Sequence, residues 1–128
     1  MSTKTKSPQE LLRDVETALR QFNHQSFDAG EDWENPSDTY SALATLSRVV
    51  HMLPQAITQA TFPTEAVHRA GRLRIDGGGD PEQAINNMRT ALAYAVQACD
   101  GVQTALDVTW STTTKIGAEY VPDEDGER

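Results

Sequence analysis

Apolar residues recur every three or four positions in long runs along this chain, and polar segments carrying Gly or Pro separate the runs. Leu11, Leu12, Val15, Ala18, Leu19 and Phe22 form the first stripe, flanked by Arg13, Asp14, Glu16, Arg20 and Gln21. Ahead of it stands Ser7-Pro8-Gln9-Glu10, with Ser as N-cap, Pro at the first helical position and Glu three residues past the cap. These signals predict a first helix over residues 8–24. The segment 25–34 holds a glycine, four acids and two isolated aromatics, and reads as a loop. Phe27 and Trp33 are expected to fold back over one end of the core.

Asn35-Pro36-Ser37-Asp38 is a second start signal, with Asn as cap and Pro just inside. Tyr40, Leu43, Leu46, Val50, Leu53, Ile57 and Ala60 then alternate three- and four-residue steps, a seam that faces one partner helix. Pro54 lies inside this run, where it removes a backbone donor and crowds the carbonyl of Val50 at a cost of about 3 kcal/mol. The apolar phase continues across it to Ile57, so one kinked helix is expected over 36–60. Phe62-Pro63-Thr64-Glu65 opens a short third helix ended by Gly71, and the loop 72–80, with three consecutive glycines, reads as flexible.

Asp80-Pro81-Glu82-Gln83 carries an Asp cap, Pro at the first position and a Gln placed to reach back. Ile85, Met88, Leu92, Ala95, Cys99, Val102, Leu106 and Thr109 follow without a slip, and Lys115 and Gly117 mark the end. Asp100-Gly101 is turn-prone, yet the stripe holds its phase there and a helical Gly costs only about 1 kcal/mol. A continuous helix over 81–116 would be about 54 Å long, whereas a compact domain of this length is only about 36 Å across. The expected fold is therefore all-α and elongated: an antiparallel bundle built on helices 2 and 4, with helix 1 alongside and helix 3 as a connector. The last helix should carry more seam than helix 2 alone covers, which points to a second chain or to helix 1 stacked end to end with a neighbour. Residues 8–116 form the predicted domain, between a disordered N-terminus (1–7) and an acidic disordered tail (117–128).

Composition narrows the function. Eleven Lys and Arg against nineteen Asp and Glu leave a net charge of −8, a field that repels nucleic acid. Cys99 stands alone, which excludes an internal disulfide framework and any CxxC site. Nothing approaches the roughly 20 apolar residues of a membrane span, and no apolar run follows the N-terminal lysines as in a signal peptide. A cytoplasmic protein with neither nucleic-acid nor membrane partner is expected. Leu, Ile, Val and Phe total only 24 of 128 residues, and alanine makes up the shortfall. Such a core leaves a thin margin over chain entropy, which association would widen, so a homodimer is expected.

Few residues suggest chemistry. His68-Arg69-Ala70-Gly71-Arg72-Leu73-Arg74 is the one dense basic patch. Asp76, Asp80 and Glu82 put carboxylates where a phosphate would sit, so Arg69, Arg72 and Arg74 read as pairing with acidic surface or as forks for a protein partner. Glu65 and His68 have the Glu-x-x-His spacing of carboxylate-bridged metal sites, without a second copy. A metal-binding or enzymatic bundle using Glu65 and His68 is the alternative reading. His24, His51, His68 and Cys99 show no mutual ligand spacing, and Cys99 reads as a small apolar seam residue.

His51, one position off its seam, resembles the exposed histidine of a histidine-containing phosphotransfer domain, but Met52-Leu53-Pro54 replaces that family's Lys-Gly pair. Trp33 and the Tyr120…Glu124 spacing are similar to the small helical substrates of type VII secretion. Trp33-Glu34-Asn35 lacks that family's glycine, and helix 1 is too short for its paired long arms. That resemblance implies an exported protein. No Ser/His/Asp or Cys/His set shows in local context, so neither catalytic residues nor a cofactor are assigned. The function expected is non-enzymatic binding or regulation of a protein partner, through Leu106, Thr109, Trp110 and Ile116 on the last helix together with the arginine patch.

Overall fold

The computed structural model describes residues 4–28 and 30–119. They form α1 (Pro8–Phe27), α2 (Pro36–Ala60), α3 (Phe62–Arg69) and α4 (Pro81–Thr113), with a 3-10 turn at Gly30–Asp32 and no strand among the described residues. The fold is all-α, as the periodicity predicts. Ser7 Oγ accepts the Glu10 N–H at 3.2 Å and donates to the Glu10 carboxylate, closing the first turn of α1. At α2 the Asp38 carboxylate accepts from the N–H groups of Glu34 and Asn35, at 3.1 and 2.9 Å. Asp80 caps α4 by accepting the Glu82 N–H at 3.0 Å, without help from Gln83.

α2 runs unbroken through Pro54, and α4 through Gly101. α1 extends three residues past its predicted end, and α4 stops three residues short. The early stop has a local cause. Thr109, Thr112, Thr113 and Thr114 turn their hydroxyls back onto carbonyls three or four residues earlier, competing with the backbone ladder.

α2 and α4 are antiparallel, because cross-helix partners descend α4 as they ascend the chain from α2 to α3. Tyr40 meets Trp110, Ser47 meets Gln103 and Asp107, Glu65 meets Arg89, and His68 meets Glu82. At 33 residues, about 50 Å at 1.5 Å per residue, α4 is longer than the 25 residues of α2, as the seam length predicts. Only Thr61 separates α2 from α3, and α3 reaches the remainder of α4 through the Glu65–Arg89 and His68–Glu82 side-chain contacts.

The inward face of α4 also differs from the predicted one. Met88, Leu92, Val96, Cys99, Gln103, Leu106, Trp110 and Thr113 are half-buried, whereas Ala95, Val102 and Thr109 are exposed. From Leu92 onward, alternate seam positions move one residue along, placing Gln103 against Ser47 and Trp110 against Tyr40. On α2 the half-buried residues include Leu43, Ser47, Val50, Pro54 and Ile57, and the predicted seam residues Leu53 and Ala60 are exposed.

Gly71 ends α3 at φ +70°, with its N–H on the His68 carbonyl and the Arg72 N–H on the Val67 carbonyl, a Schellman closure. The glycines at 77–79 all take positive φ, so the backbone path requires them there. Trp33 folds onto Phe22 edge-to-face, with centroids 5.6 Å apart, but Phe27 is 91% exposed and covers nothing. Among the described residues no helix is long and apolar enough to cross a membrane.

Ile85, 1% exposed, is the one fully buried side chain among the described residues. Removing it should therefore be disproportionately harmful. Ile85→Ala is expected to cost about 2–5 kcal/mol, much of the stability of so small a core. Urea titration followed by circular dichroism checks this, and Leu53→Ala, at an exposed seam position, should cost far less.

Candidate functional site

A contiguous uncovered apolar stripe lies on α1. It comprises Leu11, Leu12, Val15, Leu19 and Phe22, which remain 52, 57, 57, 50 and 38% exposed. Val15, Ala18, Leu19 and Phe22 form one wall of an open groove of about 560 Å³, and Ala42, Thr45, Leu46 and Val49 of α2 form the other. Trp33 closes one end, beside Asp32 and Asp38. Fully burying one large apolar side chain gains about 1.5–3 kcal/mol, equivalent to roughly 60–120 Å² removed from water. Five residues left about half exposed thus forgo on the order of 4–7 kcal/mol. An isolated surface leucine needs no explanation, whereas a contiguous exposed apolar stripe does.

Charge is distributed unevenly along this part of the chain. Lys4 and Lys6 precede α1, and Asp28, Glu31, Asp32 and Glu34 follow it. Lys6 bonds Asp14 at 2.6 Å, an exposed pair.

The residues expected to contact a partner do not form one surface. Leu106 and Trp110 are half-buried on the α2-facing side, where the Trp110 ring lies 5.1 Å from that of Tyr40. Thr109 is exposed and bonds its own helix, and Ile116 lies past the end of α4, beside Trp33 and Pro36. Arg69 and Arg72 are exposed and make no ion pair among the described residues, while Arg74 pairs with Asp76 at 3.3 Å. Tyr120 and Glu124, the tail residues of the secretion resemblance, lie outside the described residues.

Glu65 and His68 both turn toward α4, but each is taken by a different partner. The Arg89 guanidinium grips the Glu65 carboxylate in a bidentate fork, at 2.9 and 2.7 Å. His68 Nε2 bonds Glu82 at 2.7 Å. The Glu65 pKa is lowered chiefly by the Arg89 hydrogen bond, and that of Arg89 is raised chiefly by the same bond. A carboxylate forked by a guanidinium is poorly placed to receive a cation. Among the described residues no three His, Cys, Asp or Glu side chains are grouped to hold a metal. The pair acts as a clip fixing α3 to α4.

A constellation that sequence reasoning missed sits midway along the seam. Ser47 Oγ donates to Asp107 Oδ1 at 2.7 Å, and Gln103 Nε2 donates to Ser47 Oγ at 2.6 Å and to Asp107 Oδ1 at 3.1 Å. The Asp107 pKa is lowered by the Ser47 bond first, then by Gln103, with a smaller contribution from the charge of His51. Ser, His and Asp therefore come close together, from positions separated by 60 residues between Ser47 and Asp107. The order is not that of a nucleophile, in which an imidazole stands between hydroxyl and carboxylate. Here the carboxylate holds the hydroxyl directly, and His51 makes no hydrogen bond to either among the described residues. The network fixes register across the seam.

No protein-family model, no curated protein and no solved structure matches this chain. Its chemistry has to be read from its own residues, and one acid-base consequence follows at once. Asp107 is held ionised below its ordinary range, so its bonds stabilise the fold fully above that range and are lost as pH falls through it toward the lower folded value. Asp107→Asn should be less stable than the parent at neutral pH, and the gap should close below about pH 4. Thermal melts of both proteins across pH 3–7 measure it.

Proposed function

We propose that this protein is a non-enzymatic helical interaction protein, which binds and regulates another polypeptide through the apolar face of α1 and the groove between α1 and α2. The observation that carries this reading is the unbroken exposed stripe from Leu11 to Phe22. Grooves of this kind receive the apolar face of an amphipathic helix, with anchors spaced at three and four residues. The polar clusters support the same reading from the other side, since their hydrogen bonds are spent on joining helices to one another. The single half-buried thiol of Cys99 suits a reducing compartment such as the cytoplasm.

The binding surface proposed here replaces Leu106, Thr109 and Trp110 on α4 and Ile116 beyond it, because Leu106 and Trp110 are half-buried on the side facing α2. The arginine patch remains a peripheral contact, with Arg69 and Arg72 exposed at the far end of the hairpin. The test compares tagged wild-type protein with a Leu12→Asp/Leu19→Asp variant, both recovered from source cells after crosslinking. Both positions are exposed, so the variant should keep its helical circular dichroism and lose at least 90% of the crosslinked product. Equal recovery of product by both proteins would overturn the reading.

A further inference from the structure

We infer that the α1 face is occupied by the α1 face of a second copy, the two helices lying antiparallel about a twofold axis near Ala18. This rests on the interaction reading above and specifies its partner. The first support is charge. Each copy carries Lys4 and Lys6 before α1, and Asp28, Glu31, Asp32 and Glu34 after it. Antiparallel pairing lays the lysines of each copy on the acidic segment of the other, twice over by symmetry, with Lys6 exchanging its exposed Asp14 partner. Parallel pairing would bring the two acidic segments together, eight carboxylates at one end, so orientation is selected by repulsion as well as by attraction. The opposed helix dipoles favour the same arrangement.

The second support is area. Leu11, Leu12, Val15, Leu19, Phe22 and Val49 are 38–57% exposed, leaving roughly 200–350 Å² of apolar side-chain surface to bury. At the usual apolar share of about 57%, that corresponds to an interface of roughly 350–600 Å² per copy. The upper end reaches the about 600 Å² per partner at which specific interfaces begin. Such a patch suits a reversible dimer with a micromolar dissociation constant, and is too small for an obligate one. The third support is shape. Ala18 is the smallest residue of the stripe and stands at its middle, where two crossing helices must approach most closely.

Sedimentation velocity over a roughly hundredfold concentration range around the micromolar region should show monomer passing to dimer. Lys4→Glu/Lys6→Glu should weaken the dimer about tenfold, and so should Asp32→Lys/Glu34→Lys. All four changes in one chain should bring the constant back to within about threefold of the parent, because the attraction is then restored with reversed signs. In a Cys99→Ser background, Ala18→Cys should form a disulfide-linked dimer on oxidation, and Leu11→Cys should not link to itself.

Self-linking at Leu11→Cys as efficient as at Ala18→Cys would mean parallel pairing and overturn the inference, as would failure of the four-charge combination to recover. A chain that stays monomeric throughout also overturns it. If Leu12→Asp/Leu19→Asp nevertheless abolishes a crosslink to a different protein, the interaction reading survives without self-pairing. If it abolishes nothing, both fall.

Discussion

Everything in this molecule depends on one long seam, the packing of α4 against α2, extended by side-chain contacts from α3. With 24 large aliphatic or Phe residues in 128, the chain cannot build a deep core, and among its described residues only Ile85 is fully buried. Stability is instead distributed along the shallow contacts of α2 with α4, over about 38 Å at 1.5 Å per residue of α2. Such a seam has a weakness that a globular core lacks: sliding one rod by a heptad preserves most of the apolar contacts. The polar pairs counter this. Exposed ion pairs add little energy individually, but Ser47 with Gln103 and Asp107, Glu65 with Arg89, and His68 with Glu82 fit only one register. Their role resembles that of a single buried polar residue fixing register in a coiled coil.

α1 stands apart from that seam. Its recorded anchorage includes the Phe22–Trp33 contact and the groove it shares with the first half of α2. Local stability in proteins follows local burial, so α1 belongs to the low-stability end of this structure and the hairpin to the high end. A surface that must accept a partner is well placed on such an element, since rearranging it does not disturb the register of the rest.

Much of the fold was legible in the amino-acid order because its start signals are chemically distinct. Ser7-Pro8, Asn35-Pro36 and Asp80-Pro81 each open a helix where the caps predict, and the apolar phase carried α2 through Pro54 and α4 through Gly101. Which of two neighbouring residues faces inward was not legible. At Ala95 and Val96, and at Thr109 and Trp110, the more apolar residue faces in and a strict three-four alternation picks its neighbour; at Val102 and Gln103 hydrophobicity itself misleads. Gln103 turns in only because Ser47, 56 residues earlier, waits opposite it. The candidate surface was half legible. The α1 stripe is plain in the sequence, but its lack of cover depends on where the other helices go. Nor was the reach of α3 to α4 legible, since it rests on backbone angles at a single residue.

That residue is Thr61, with φ −92° and ψ −2°, its hydroxyl on the Thr58 carbonyl at 2.8 Å and its own carbonyl accepting the Glu65 N–H at 3.0 Å. It works as a splice between two successive helices. An insertion or deletion of one residue at the splice would rotate everything after it by about 100°. Glu65 and His68 would then swing away from Arg89 and Glu82, and α3 would lose its grip on α4. The spacing between Ile57 and Glu65 is thus a ruler, and evolution of this chain should tolerate changes of residue type there far more readily than changes of length.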